Sequence, residues 1–325
     1  MKAAIYKTYG PPEVLKIEEI EKPVPKDNEV LIKVYSTTVT AVDSIFRNGK
    51  SFFARMTTGI TKPKNKILGS EFAGDIEAIG NNVRSLKPGD KVMGDSSIKS
   101  NTYAEYVCLR DDEPLVLLPS NLSYEEAASI CYGSLTALPF LRDNGQIQKG
   151  YTVLIIGASG AVGTFAVQIA KYFGAEVTGV CSNANVEMVK SLGANKVIDY
   201  TKQDFTTSNE KYDIIFDTVG KSSFGKCKSS LKENGKYLTT VVGIRILFQM
   251  LITSRAKKKA IIAFTGLRST VERSKDLVFI KEMIEKGKLK PVIDRKYKLE
   301  DIVEAHKYVD QGHKKGSVII SLIHT

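Results

Sequence analysis

The sequence predicts an α/β chain in which an antiparallel, partly closed β domain is split around an inserted, doubly wound parallel sheet. Three observations predict it. Residues 1–118 carry short β-rich runs separated by turn signals. After Pro119 apolar strand-like runs alternate with helical segments, the pattern of βαβ units and a right-handed parallel sheet. A last apolar run at residues 317–322 needs a sheet to join, and a return to the first domain supplies one. The expected bounds are 1–122 and 266–325 for the β domain and 123–265 for the insertion.

Taken in order, residues 3–6, 29–36, 72–79, 91–93 and 103–108 read as strands, punctuated by Pro11-Pro12, Pro23, Pro25, Pro88-Gly89 and Pro119. Ser123 and Glu126 have capping-box spacing and open a helix over 123–130. Residues 152–156 form an apolar strand that runs into a glycine-rich turn, followed by a helix over 162–173. Further strands are expected at 176–181, 196–198, 213–217 and 236–242. The C-terminal part reads as a helix over 274–286, an extended run at 291–297, a helix over 300–309 and the closing strand. Residues 50–66 read as a loop.

Composition excludes several classes. With 42% hydrophobic and 26% charged residues in 325, the chain suits two packed cores and carries no low-complexity tract. The first residues lack the apolar core of a signal peptide, and no stretch approaches the ~18 apolar residues of a membrane span, so the cytoplasm is the expected location. Four scattered cysteines, Cys108, Cys131, Cys181 and Cys227, have none of the spacings of a zinc or redox motif and read as reduced thiols. The net charge of +11 comes from lysines spread along the chain, which argues against a nucleic-acid arm.

The turn Gly157-Ala158-Ser159-Gly160-Ala161-Val162-Gly163 carries the chemistry. Ala158 stands where a dinucleotide-binding fingerprint usually has its first glycine. Gly160 lets the backbone approach a pyrophosphate, Gly163 lets helix and strand pack closely, and helix N–H groups meet the negative charge. Strand, turn and helix occur in the required order, so Ala158 to Gly163 are expected to bind a nicotinamide dinucleotide. The next strand ends at Cys181-Ser182-Asn183 with no acid for the ribose hydroxyls. Ser182, Asn183 and Tyr200 can hydrogen-bond a 2′-phosphate, and Lys314 or Lys315 can add charge if the C-terminal segment folds nearby, so NADPH is favoured over NADH.

With these residues in view, the chain resembles the zinc-independent quinone oxidoreductase branch of the medium-chain dehydrogenase/reductase superfamily. The resemblance runs through residues 9–15, Gly69-Ser70-Glu71-Phe72-Ala73-Gly74, Leu86-Lys87-Pro88-Gly89-Asp90-Lys91-Val92, Tyr103-Ala104-Glu105-Tyr106-Val107, Leu135-Thr136-Ala137, the glycine turn and Leu192-Gly193-Ala194. It implies a split GroES-like β-barrel catalytic domain with an inserted Rossmann sheet, an active site in the interdomain cleft and a homodimer. The zinc-using branch carries Gly-His-Glu where this chain has Gly69-Ser70-Glu71, and a cysteine near Thr40. Its third ligand falls at Tyr132, one residue beyond Cys131. A lone thiol cannot hold zinc, so no metal is expected.

Without a metal to polarise a carbonyl, electron-poor acceptors become the expected substrates: a quinone or an α,β-unsaturated carbonyl spreads the charge of an incoming hydride over its own conjugation. By the resemblance, Thr40, Ser70 and Tyr132 are the candidate catalytic residues, Thr136 lies at the nicotinamide end, and Val242-Gly243 border the ring. Tyr132 is the candidate phenol donor to the substrate oxygen, although an aromatic packing at the domain junction explains it equally well. Asp43 and Arg47 read as a structural ion pair. His306, His313 and His324 read as surface residues, and Ser159 lacks the spacing of a hydrolase nucleophile.

Residues 244–264 combine the apolar run Ile246-Leu247-Phe248-Gln249-Met250-Leu251-Ile252 with Arg255 and Lys257-Lys258-Lys259. They read first as a dimer-interface helix with a solvated basic end, and alternatively as a membrane-surface or cleft-covering segment. Two other function classes remain open at this point: a non-catalytic NADPH-binding sensor or structural protein, and an alcohol dehydrogenase working without zinc.

Overall fold

The structure, a computed structural model, describes residues 1–96 and 101–322. It divides into two compact units, one of residues 1–132, 269–285 and 291–325, the other of residues 133–268 and 286–290. The first break falls ten residues after the expected 122/123. The reason is the helix that Ser123 opens: its capping box with Glu126 forms, and the helix packs on strands of the first unit.

In chain order the first unit begins with β1 (Lys2–Ile5) and β2 (Lys16–Glu19), an antiparallel pair. β3 (Glu29–Val39), β4 (Glu71–Ile79), β5 (Lys91–Asp95), β6 (Tyr106–Arg110) and β7 (Leu115–Leu117) build the main sheet. Between β3 and β4 lie two helices, α1 (Ala41–Asn48) and α2 (Phe52–Thr58), so part of the segment read as a loop is helical. Ser51 caps α2 through the Ala54 amide. α3 (Tyr124–Ala128) follows, and α4 (Cys131–Pro139) carries the chain into the second unit.

The second unit alternates β8 (Thr152–Ile156), α5 (Ala161–Tyr172), β9 (Glu176–Cys181), α6 (Val186–Ser191), β10 (Lys196–Asp199), β11 (Tyr212–Asp217), α7 (Phe224–Cys227), β12 (Leu231–Thr239), α8 (Ile244–Thr253) and β13 (Lys259–Ile262). All its pairings are parallel, in the order β10-β9-β8-β11-β12-β13. This is the doubly wound Rossmann arrangement, whose order reverses between β8 and β11. β8 is an unbroken apolar run because a strand covered on both faces has no solvated side. Its cluster includes Leu154, Ile156, Val180, Ile215 and Tyr237.

The chain then returns to the first unit as α9 (Thr270–Glu285), β14 (Ile293–Lys298), α10 (Ile302–Asp310) and β15 (Ser317–Ser321). β15 pairs antiparallel with β3, Val318 opposite Val39, which seats the closing strand in the first sheet. Val39, Leu68, Tyr103, Leu299, Val318 and Ile320 share one core there. No helix among the described residues is long and apolar enough to cross a membrane.

Candidate active site

β8 delivers the glycine turn. Gly157 has φ +78°, a left-handed conformation suited to glycine, and a Cβ there would lie 2.6 Å from a Val219 methyl. The residue at the bend is therefore Gly157, just before Ala158. Ala158 is instead buried, and the amides of Gly157 and Ala158 both donate to Val180 O at 3.0 Å, tying the loop to β9. Gly163 has the packing role: its Cβ would lie 2.0 Å from Gly157 O. Gly160 is different. Nothing lies nearer than 3.5 Å to its would-be Cβ, so the outer side of the turn is open. Gly160 is also the N-cap of α5 and offers no side chain to the first-turn amides of Ala161, Val162 and Gly163. An open backbone cradle at an uncapped helix start fits a pyrophosphate.

The remaining candidates in this unit are distributed around the sheet. Thr136 is buried in α4. Ser182, half-buried after β9, accepts from Asn185 Nδ2 at 3.1 Å; Asn183 is exposed; Tyr200 is exposed and its amide donates to Cys181 O at 3.1 Å. An acid stands nearer than the sequence suggested. Asp199, at the end of the neighbouring β10, accepts from the Thr201 amide and hydroxyl, which hold its carboxyl below the usual range, and Lys202 lies 3.8 Å away. β12 ends at Thr239, short of the expected 242, leaving Val242 exposed and Gly243 as the N-cap of α8. Asp217, at the end of β11, was not singled out from sequence. Fully buried, it accepts from the amides of Val219, Gly220 and Ser222 and from Tyr237 Oη, fixing the loop beside Gly157.

The first unit holds the catalytic candidates. Thr40 caps α1: its hydroxyl donates to Asp43 Oδ2 at 2.6 Å, and Asp43 also accepts from the Thr40 and Gly69 amides. The single Thr40 O–H is thus engaged, leaving Thr40 only as an acceptor toward a ligand. Ser70 is half-buried, and its carbonyl accepts from the amide and hydroxyl of Ser96. Tyr132 donates its amide to Glu71 Oε2 at 2.7 Å. Its phenol is pushed well above the ordinary range by burial, with Asp43, Glu71 and Asp95 adding to the shift. It therefore stays a neutral hydrogen-bond donor.

Glu71 and Lys314 have surroundings that the sequence did not reveal. Glu71 is 1% exposed and accepts from Thr38 Oγ1 as well as Tyr132. Burial pushes its carboxyl up to about 8, with Asp95 and Asp43 contributing, so it is protonated at neutral pH. Lys314 donates to Gly316 O at 2.7 Å, and burial pulls its ammonium down to about 8 against the attraction of Glu71, Asp294 and Asp43. The groups that perturb Lys314 belong to its own unit; Lys315 is exposed and its amide donates to Asp294. The Gly69-Ser70-Glu71 motif was the available signal for Glu71; its protonation depends on burial that no local pattern displays.

Two other sequence readings are corrected. Asp43 and Arg47 do not pair. The Arg47 guanidinium, 1% exposed, reaches Asp310 Oδ2 at 2.6 Å, His306 Nδ1 at 2.8 Å and Gly10 O at 3.3 Å, because α10 packs on α1. His306 is not a surface residue: it is fully buried, and burial together with Arg47 pulls its imidazole down to about 3. His313 is exposed, and His324 lies outside the described residues.

The positions that resemble zinc ligands carry the hydroxyls of Thr40, Ser70 and Tyr132, and no group of three His, Cys, Asp or Glu among the described residues is placed to hold a metal ion. Neutral hydroxyls do not make a zinc site, which takes thiolate, imidazole or carboxylate ligands.

A split β domain around a six-stranded doubly wound sheet with this glycine turn defines the two-domain dehydrogenase/reductase class. Residues 26–120 match the alcohol dehydrogenase GroES-like domain family and residues 192–320 the zinc-binding dehydrogenase family. The chain is similar to a human quinone oxidoreductase, at 33% identity over 99% of this chain and 98% of that one. It is also similar to an NADPH-dependent alkenal/one oxidoreductase of Arabidopsis thaliana, at 30% identity over 98% and 79%. The solved quinone oxidoreductase of Coxiella burnetii superposes with a TM-score of 0.88 at 29% identity, covering 99% of both chains. The chain belongs to the quinone oxidoreductase-like branch of the medium-chain dehydrogenase/reductase superfamily and is an oxidoreductase.

Proposed function

We propose that the protein is an NADPH-dependent, metal-free reductase that delivers hydride to a quinone or an α,β-unsaturated carbonyl. The observation that carries this is the open backbone cradle at Gly160 on an uncapped helix, which suits the pyrophosphate of a dinucleotide. NADPH, when bound, supplies the hydride. Its relatives named as NADPH-dependent alkenal/one oxidoreductase and quinone oxidoreductase support the acceptor class. Asn183 and Tyr200, exposed beside the end of β9, support the 2′-phosphate, with Lys202 offsetting Asp199.

The residues at the positions that resemble zinc ligands support metal-free chemistry. Tyr132 keeps its proton and donates a hydrogen bond to the substrate oxygen, on which negative charge develops as hydride arrives. Glu71 positions Tyr132 through its amide, and because Glu71 is protonated it places no full negative charge beside that developing oxyanion. Thr40 and Ser70 contribute polar lining. An ordinary alcohol has no conjugation to accept electrons, so simple alcohols and ketones are not substrates on this reading.

Consumption of NADPH and NADH with a panel of quinones, 2-alkenals, enones and saturated ketones tests the proposal. The expected result is turnover with the conjugated acceptors only, faster with NADPH. Tight NADPH binding without turnover on any acceptor would refute it.

A further inference from the structure

α8 presents two apolar faces. Ile246 and Thr253 turn inward: Ile246 is in the core of the second unit, Leu247 packs against that core, and Thr253 Oγ1 accepts the Ala260 amide at 2.9 Å, tying the helix to β13. The opposite stripe, at i, i+4, i+7 and i+8, is Ile244, Phe248, Leu251 and Ile252, which are 82%, 62%, 71% and 60% exposed. A helix already docked by one face has no use for a second apolar face in its own core.

The charge around this stripe is extreme. Lysines occur throughout the chain, but acids do not: between Asp217 and Glu272 stand eleven lysines and arginines and one acid, Glu233, a surplus of ten where the whole chain has eleven. Lys232, Lys257 and Arg268 are paired, with Asp213, Glu233 and Asp143. Among the described residues Lys226, Lys228, Arg245, Arg255 and Lys259 have no salt-bridge partner. Lys258 Nζ donates to Lys228 O, and Arg245 lies 3.8 Å from the would-be Cβ of Gly225, so α7 and its lysines neighbour α8.

We propose that this face docks on an anionic lipid bilayer, with Ile244, Phe248, Leu251 and Ile252 entering the interface and the surrounding cations meeting the headgroups. Apolar area within a cationic surround is what an anionic bilayer surface recognises. A second copy of the chain would bring the same unpaired Lys226, Lys228, Arg245 and Arg255 against these, so charge complementarity favours lipid.

The sequence contains no tryptophan, so Phe248→Trp places a single reporter on the stripe. With full-length protein at low salt, flotation with vesicles of phosphatidylcholine and about 30% phosphatidylglycerol is expected to carry the protein, pure phosphatidylcholine much less. The emission of the introduced tryptophan is expected to shift to the blue and be quenched by brominated anionic lipid. Arg245→Glu with Arg255→Glu should weaken partitioning by more than roughly twenty-five-fold, from about fivefold per cation removed. Phe248→Glu with Leu251→Glu should abolish it, with circular dichroism unchanged because both sites are exposed. No flotation with anionic vesicles would overturn the proposal, as would flotation without a blue shift. A wild-type dimer that falls to monomer in Phe248→Glu with Leu251→Glu, without vesicle binding, would assign the face to a second copy and equally overturn it.

Discussion

Alanine placed singly at Gly163 and at Gly160 separates packing from ligand binding in one turn. At Gly163 the new Cβ would lie 2.0 Å from Gly157 O and 2.8 Å from Ala158 Cα, both backbone atoms that cannot swing away. Overpacking of this kind costs about 3 kcal/mol, and the better helix propensity of alanine returns about 1 kcal/mol. The net loss of about 2 kcal/mol lowers Tm by roughly 4–8 °C for a unit of this size. At Gly160 the Cβ meets nothing within 3.4 Å and the backbone is extended, with φ −79°. The poorer N-cap and the stiffer unfolded chain nearly cancel, so Tm should stay within about 2 °C. That methyl occupies the open side where a phosphate would approach the helix amides, and NADPH affinity should fall tenfold or more, about 1.4 kcal/mol. Scanning fluorimetry and fluorescence titration with NADPH read both effects. Wild-type Tm in Gly163→Ala, or wild-type NADPH affinity in Gly160→Ala, would refute the reasoning.

Three further outcomes are expected. Arg47→Ala should cost about 3–5 kcal/mol in denaturant unfolding because it leaves Asp310 and buried polar groups unpaired, whereas Lys7→Ala, which removes only the exposed pair with Glu18, should cost under about 1 kcal/mol. Stability should depend on pH through two buried groups acting oppositely. His306 stays neutral in the fold down to about 3 while the unfolded imidazole protonates near 6.5, so its contribution is lost as pH falls from 6.5 toward 3; thermal unfolding of His306→Asn should show a flatter acid limb. Glu71 stays protonated up to about 8 while the unfolded carboxyl ionises near 4.5, so stability is lost as pH rises between them, and the Tm advantage of Glu71→Gln should grow from about pH 5 to about pH 8. Asn183→Asp places a carboxylate in the loop after β9 and should lower the NADPH-to-NADH preference at least tenfold in kcat/KM.

The parts legible in sequence are those that local pattern encodes. The alternation of buried strand and helix gave the parallel sheet, the Ser123 and Glu126 spacing gave the cap of α3, and Gly160 and Gly163 have the surroundings their motif positions required. That Gly157, just before Ala158, is the residue at the bend shows only in its positive φ. What the sequence concealed depends on distant partners. Arg47 meets Asp310 and His306 across more than 250 residues, which turned an expected local ion pair and a surface histidine into one buried cluster. Asp199 came close to the Ser182-Asn183 loop because β10 lies beside β9. Glu71 was visible as a motif letter, but its protonation follows from burial, with Asp95 on β5 and Asp43 on α1 adding to it. Residues 50–66 lack strong apolar periodicity, so α2 was missed although Ser51 has a capping residue's identity.

Reduction of an enone with NADPH deuterated at the transferable position, on protein stripped of metal by chelation, tests the central claim most directly. The expected product carries one deuterium on the carbon β to the carbonyl, formed at the rate of untreated protein. Deuterium on the carbonyl carbon, or a rate that returns only when zinc is restored, would contradict it.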